Sequence, residues 1–214
     1  MARRSGLVKA AVGLVALGGL GVLFVRSAQS TRAEPYDVPR DRLQHWTLAV
    51  EPASSPSGVL LALRPERELA SALFNAVFAR TGESMSGPVP AQMPLVLKSE
   101  VDARAAAAAT PDALLALARE SGLESATLQP ACMAHRRISA PGITRQMYFV
   151  LFDVPAFTGF RQTLSVRLRD AGATLDPAAL SPTLIVAASD AMFSQWQPLR
   201  ADADTDCFAP ILVR

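Results

Sequence analysis

Residues 145–153 read Arg-Gln-Met-Tyr-Phe-Val-Leu-Phe-Asp, the most strand-like run in the chain. Aromatic and β-branched side chains of this kind fit a pleated, half-buried surface. A turn at Ser139-Ala-Pro-Gly142 precedes it, and a further strand from Thr127 to Ile138 precedes the turn, so the two runs form a predicted hairpin. Downstream, Pro155 to Gly172 carries Phe157, Phe160, Leu164 and Leu168 at helical spacing, and Thr183 to Ala188 (TLIVAA) is a short apolar run typical of a buried strand.

The first half has the same rhythm. His45 to Val50 is a predicted strand, Pro52 to Gly58 a serine-rich turn, and Val59 to Leu63 a second strand. Leu69, Leu73, Phe74, Val77 and Phe78 then recur at three- and four-residue steps, which predicts an amphipathic helix from Pro65 to Arg80 that stops before Gly82. Met93 to Leu97 is a short apolar strand, and Asp102 to Ser121 is predicted helical, with Ala105 to Ala109 as filler and Thr110-Pro111-Asp112 restarting a helix whose apolar face is Leu114, Leu115 and Leu117. The order β-α-β-α followed by β-β-α-β implies an α+β domain of two related lobes with mixed sheets, spanning 43–214.

The composition suits a folded chain: 50% of its 214 residues are hydrophobic and 19% charged, which excludes a disordered protein. Four of the 21 basic residues, Arg3, Arg4, Lys9 and Arg26, precede Ser27, where no acid stands. The remainder holds 17 basic against 19 acidic side chains, so the overall charge of +2 is no argument for a nucleic-acid partner.

Gly6 to Val25 is a twenty-residue apolar run with one charge, Lys9, near its start. At about 1.5 Å per residue a helix of that length crosses a bilayer core of about 30 Å. The arginines ahead of it favour a cytoplasmic N-terminus. Residues 1–26 are therefore expected to be a signal anchor in the cytoplasmic membrane, with the body in the periplasm or outside. A cleaved signal peptide, cut after Ala28-Gln29-Ser30, is the alternative. Residues 27–42, with Pro35, Pro39 and mixed charge, are read as a linker. Cys132 and Cys207 form an even count in a chain bound for an oxidising compartment, and a disulfide between them is expected to pin the segment from Asp202 to Arg214 onto the domain. Metal-ligand spacing and cofactor motifs are absent, so no metal and no cofactor is expected.

Three segments carry a resemblance: Gly58 to Leu73 (GVLLALRPERELASAL), Met147 to Leu164 (MYFVLFDVPAFTGFRQTL) and Ser181 to Ala187 (SPTLIVA). In order and pattern the chain resembles the 2H phosphoesterase superfamily, which contains 2′-5′ RNA ligase-like and cyclic phosphodiesterase proteins. That resemblance implies one His-x-Thr/Ser motif per lobe, with one histidine as general base and the other as general acid at a cyclic phosphate. The corresponding positions are Pro94-Leu95-Val96 and Thr183-Leu184-Ile185, and neither holds a histidine. The one literal match, His45-Trp46-Thr47, stands before the opening strand and helix rather than after them.

His45 and Thr47 are thus the candidate catalytic residues, against the plainer reading of an edge-strand histidine beside a packed tryptophan. His135, Arg137, Arg145 and Thr183 are the candidate ligand-binding residues, since guanidinium forks suit phosphate and carboxylate. Strand alternation sends His135 and Arg137 to one face and Arg136 to the other. Asp202, Asp204 and Asp206 lack the glycine and terminal glutamate of a calcium loop and read as a solvated tail. The expectation is a membrane-anchored envelope protein whose non-catalytic domain binds a ligand or an envelope protein partner. The alternatives are an atypical phosphodiesterase built on His45/Thr47 or His135, and a structural module of the envelope.

Overall fold

In a computed structural model, residues 33–52, 54–101, 105–140, 142–197 and 199–214 are described. Eight strands build two sheets. The smaller is antiparallel, in the order β2-β3-β4, from Trp46–Val50, Val59–Pro65 and Met93–Leu97. The larger is mixed, in the order β1-β8-β5-β6-β7, from Tyr36–Val38, Cys207–Val213, Gln129–Ala140, Ile143–Asp153 and Thr183–Ala188. Its single parallel pair is β1 with β8, and its other pairs are antiparallel. Helices α1 (Arg67–Thr81), α2 (Pro111–Glu120) and α3 (Pro155–Asp170) connect or flank the strands, and a single turn, α4 (Ala203–Asp206), leads into β8. The α+β class is as expected.

Every residue of β4 and of β7 is buried, which is why both read as continuous apolar runs instead of alternating ones. Leu184 and Val186 of β7 enter the main core with α1, α3 and the small sheet, while Ile185 and Ala188 enter a second cluster with Phe149, Trp196 and Leu199. In α1, Leu69, Leu73 and Val77 are buried, and Gly82 adopts φ 63°, the left-handed conformation that ends helices. Phe78, expected on the apolar face, is 51% exposed.

The structure corrects several expectations. Helix α2 starts at Pro111, where the restart at Thr110-Pro111-Asp112 is expected, but Ala105 to Ala109 ahead of it form turns and not helix, and residues 102–104 lie outside the described ones. Thr110 is held extended (ψ 152°), as residues before proline are, and its hydroxyl caps the helix by accepting from Ala113 N at 3.3 Å. Within the segment read as linker, Tyr36–Val38 forms β1, with Tyr36 and Val38 buried, and a 3-10 turn follows at Arg40–Leu43. A three-residue strand has too little pattern to announce itself. Of the acidic residues read as a solvated tail, Asp202 and Asp204 are exposed, but Asp206 is buried against Arg136 with bonds of 3.0 and 2.5 Å, and the chain after it forms β8, between β1 and β5 in the sheet. The Cys132–Cys207 disulfide is present, with Cα atoms 5.7 Å apart, and it ties β5 to the start of β8. Among the described residues no helix is long and apolar enough to cross a membrane, and Gly6 to Val25 lies outside them.

Candidate functional site

Strands β4 and β7 lie against one another, so Pro94 and Thr183 belong to neighbouring strands of the two sheets. The segment between α1 and β4 closes over this junction. Ser86 exchanges two backbone hydrogen bonds with Ala188 at the end of β7, of 2.8 and 2.9 Å. Gly87 packs so near Phe74 that a β-carbon there would stand 3.2 Å from the ring, which explains a glycine at that point. Pro88-Val89-Pro90 follows, with a cis Val89–Pro90 bond and Val89 92% exposed.

This proline segment is a wall common to two cavities. One, of about 510 Å³, is a cleft beside β4 and β7, with Pro94, Ile185, Ser57, Gln92 and Phe193 in its lining. The other, of about 600 Å³, lies toward the first turns of α1 and is lined by Arg67, Ala70, Phe74 and Val186 among others. Between them stands Arg64, which lines the second cavity. Its guanidinium donates to the Glu51 carboxylate and, through Nε, to Gln92 Oε1 at 3.5 Å, both residues of the cleft. Among the described residues Glu51 is the one charged residue lining the cleft, and Arg64 holds it in an ion pair.

The sequence-predicted site residues do not converge. His45, ahead of β2, and Thr47, on that outer strand, are both exposed and outside the lining of either cavity. Thr183 is fully buried, and its hydroxyl turns back to donate to Ser181 O at 3.4 Å. His135 and Arg137 share a face, as alternation requires, whereas Arg145 is on the other face, opposite Ile138. Arg145 grips Asp190 through Nε and Nη2 at 2.7 and 3.2 Å and lies 4.8 Å from the Trp196 ring. The hydrogen bond from Arg145 is the main cause that holds the Asp190 carboxyl below its ordinary range; burial opposes it and the Met192 N–H reinforces it.

Around His135 the fold gathers residues that sequence reasoning passed over. The imidazole lies 4.5 Å from the Tyr148 ring, and its Nε2 is 3.4 Å from Gln146 Oε1. Gln146 Nε2 donates to Glu83 Oε2 at 2.6 Å, and the Tyr148 hydroxyl reaches the same oxygen at 3.5 Å. Register could have announced Tyr148 opposite His135, but Glu83 comes from the loop after α1, more than 50 residues away in sequence, with no local signal.

No family model matches this chain, and no curated protein or solved structure does either. Among the described residues no group of three or more His, Cys, Asp or Glu side chains converges to hold a metal ion. Chemically, the cleft offers an apolar wall with serine hydroxyls and amide side chains. Among the described residues its lining contains no histidine, and its one carboxylate, Glu51, is paired with Arg64.

Proposed function

We propose that this is an envelope protein, anchored in the cytoplasmic membrane through Gly6 to Val25, whose folded domain binds a ligand or a protein partner without turning it over. The reading keeps the 2H phosphoesterase-like frame and treats its reaction centre as lost. The observation that carries it is the junction of β4 and β7. There the frame calls for two histidines, and the chain has Pro94 and Thr183, with Thr183 sealed from solvent and Pro94 facing a cleft whose only charge is neutralised. Two imidazoles titrating near neutrality are what concerted proton transfer at a phosphate uses, and no described residue lining the cleft replaces them.

The test is photo-crosslinking in native membranes from Met192, an exposed residue at the cleft. A discrete adduct is expected, lost when Ser194→Trp fills the cleft. Absence of any adduct, or robust hydrolysis of a 2′,3′-cyclic nucleotide by the purified full chain, overturns the reading.

A further inference from the structure

Apart from the Glu51–Arg64 ion pair, the polar groups lining the cleft beside β4 and β7 are few, and most are already engaged. The hydroxyls of Ser55 and Ser57 are bonded to one another at 3.0 Å, and each also accepts a backbone N–H at 3.3 Å, from Ser57 and from Val59. Gln92 Oε1 accepts from Arg64 Nε at 3.5 Å, and its Nε2 has no partner among the described residues. Gln197 differs. Its backbone N–H donates to Ser194 O at 3.2 Å at the end of the 3-10 turn Phe193–Trp196, but its side-chain Oε1 is buried with no hydrogen-bond partner. Buried carbonyls are paired in the large majority of cases, so an orphaned one on a residue that lines a cavity marks a place where a donor belongs. The residue as a whole is only half-buried, which lets its amide turn toward the cleft about its terminal torsion.

The charge of an occupant follows from the same lining. Arg64 answers the Glu51 carboxylate, and no further ionised side chain stands in the described lining. A charge brought in here loses hydration and finds no opposite charge, so a neutral occupant is favoured. Pro94, Ile185, Val59 and Phe193 form a wall that suits an aliphatic side chain. Two amides and the Ser194 hydroxyl are too few for a sugar, whose many hydroxyls each donate and accept. They match one or two peptide units, each with one N–H and one C=O. Such a unit complements the Gln197 amide whichever way round that amide is turned. A volume of about 510 Å³ is within the range of small-ligand pockets and takes a short stretch of extended chain.

We infer that the cleft takes an uncharged peptide segment of a protein partner, with an aliphatic side chain against Pro94 and Ile185 and its backbone held by the amides of Gln92 and Gln197. The inference rests on the proposal that this cleft binds, and names its occupant. Hydrogen bonds to the peptide backbone give hold without reading sequence, while the apolar wall and the lack of an unpaired ion select against charged segments.

The experiment uses the purified full chain with a benzophenone side chain in place of Met192. The probes are the blocked peptide acetyl-Val-Ala-Val-amide, its Asp-Ala-Asp and Lys-Ala-Lys counterparts, and maltotriose, with adducts read by mass spectrometry. Irradiation is expected to add the mass of the uncharged peptide, several-fold less of either charged counterpart, and no maltotriose. Gln197→Leu is expected to cut the peptide adduct several-fold without lowering the urea midpoint, since it removes an acceptor that the fold leaves orphaned. A lowered midpoint would show that the Gln197 carbonyl serves the fold, and equal adducts from charged and uncharged peptides would show that the cleft does not select; either overturns the inference. Adducts of maltotriose in place of the peptide, or crosslinks to a second copy of the chain, reassign the cleft and overturn it as well. An adduct in native membranes with none on the blocked peptide defeats the peptide assignment alone, whereas no adduct in either setting defeats the binding reading with it.

Discussion

Arg161 and Glu100 form a largely buried bidentate ion pair that fastens α3 to the end of β4. Arg161 on α3 has no exposed surface, and its Nη1 and Nη2 reach the Glu100 carboxylate at 2.8 and 2.6 Å, just past the end of β4. The same guanidinium also donates to the carbonyls of Leu95, Asp176 and Pro177, while Glu100 accepts from Leu97 N at 2.9 Å. A planar fork with five N–H groups is the side chain able to satisfy so many acceptors at once.

Arg161→Met is therefore expected to cost about 3–5 kcal/mol, because it leaves Glu100 charged and unpaired in a low-dielectric setting. Urea unfolding at pH 7 measures it. The double variant with Glu100→Leu is expected to recover a large part of the loss, since two apolar groups replace the pair. A midpoint unchanged in the single variant would show that the pair does not hold α3 to β4.

Cys132 and Cys207 are 75 positions apart in sequence, and their bond restrains the unfolded chain. In the chain-entropy account a loop of that size is worth about 4 kcal/mol. Cys132→Ala with Cys207→Ala is expected to lower the urea midpoint accordingly and to expose β8 to proteolysis first. Mass spectrometry without reductant should find no free thiol; two free thiols in exported protein would refute the pairing.

Asp190 supplies a pH dependence of defined sign. Its carboxyl is held below the ordinary value in the folded state, so the ion pair with Arg145 contributes fully above the unfolded value of about 3.9 and fades as pH falls through the folded value. Thermal midpoints are expected to be flat in this respect from pH 7 to about 5 and to decline in more acid solution. Asp190→Asn should remove part of that decline. An identical acid limb in wild type and variant would contradict the assignment.

Catalysis at a cyclic phosphodiester is expected to be undetectable. Base and acid are each typically worth 10²- to 10⁴-fold, and among the described residues neither His45, exposed ahead of β2, nor His135, stacked against Tyr148, lines the cleft beside β4 and β7. Wild type, His45→Ala and His135→Ala should be indistinguishable on a 2′,3′-cyclic nucleotide. Turnover abolished by either substitution in a folded protein would establish the phosphodiesterase alternative.

Export of the body is the remaining expectation. A C-terminal reporter active only outside the cytoplasm should be active, and the full chain should remain in the membrane fraction after alkaline washing. Complete recovery in the cytosol would end the anchor reading.

Strands β4 and β7 were legible to the residue from their apolar runs, and the β5–β6 hairpin from its composition and turn, because burial on both faces and pleated packing are local demands on side-chain type. The spacing of Leu69, Leu73 and Val77 likewise announced α1, and the even cysteine count announced the disulfide. What the sequence by itself determined is the class of the domain and most of its elements, and that β4 and β7 carry no histidine. Only the tertiary structure decided that Tyr36–Val38 and Cys207–Val213 pair across almost the whole chain, that Asp206 is buried by Arg136, that Glu83 arrives beside His135, and that Pro88 to Pro90 stands between two cavities. Periodicity reports which face of a segment is buried. Which distant segment buries it is set by the summed packing of both sheets, and no single stretch of chain contains that information.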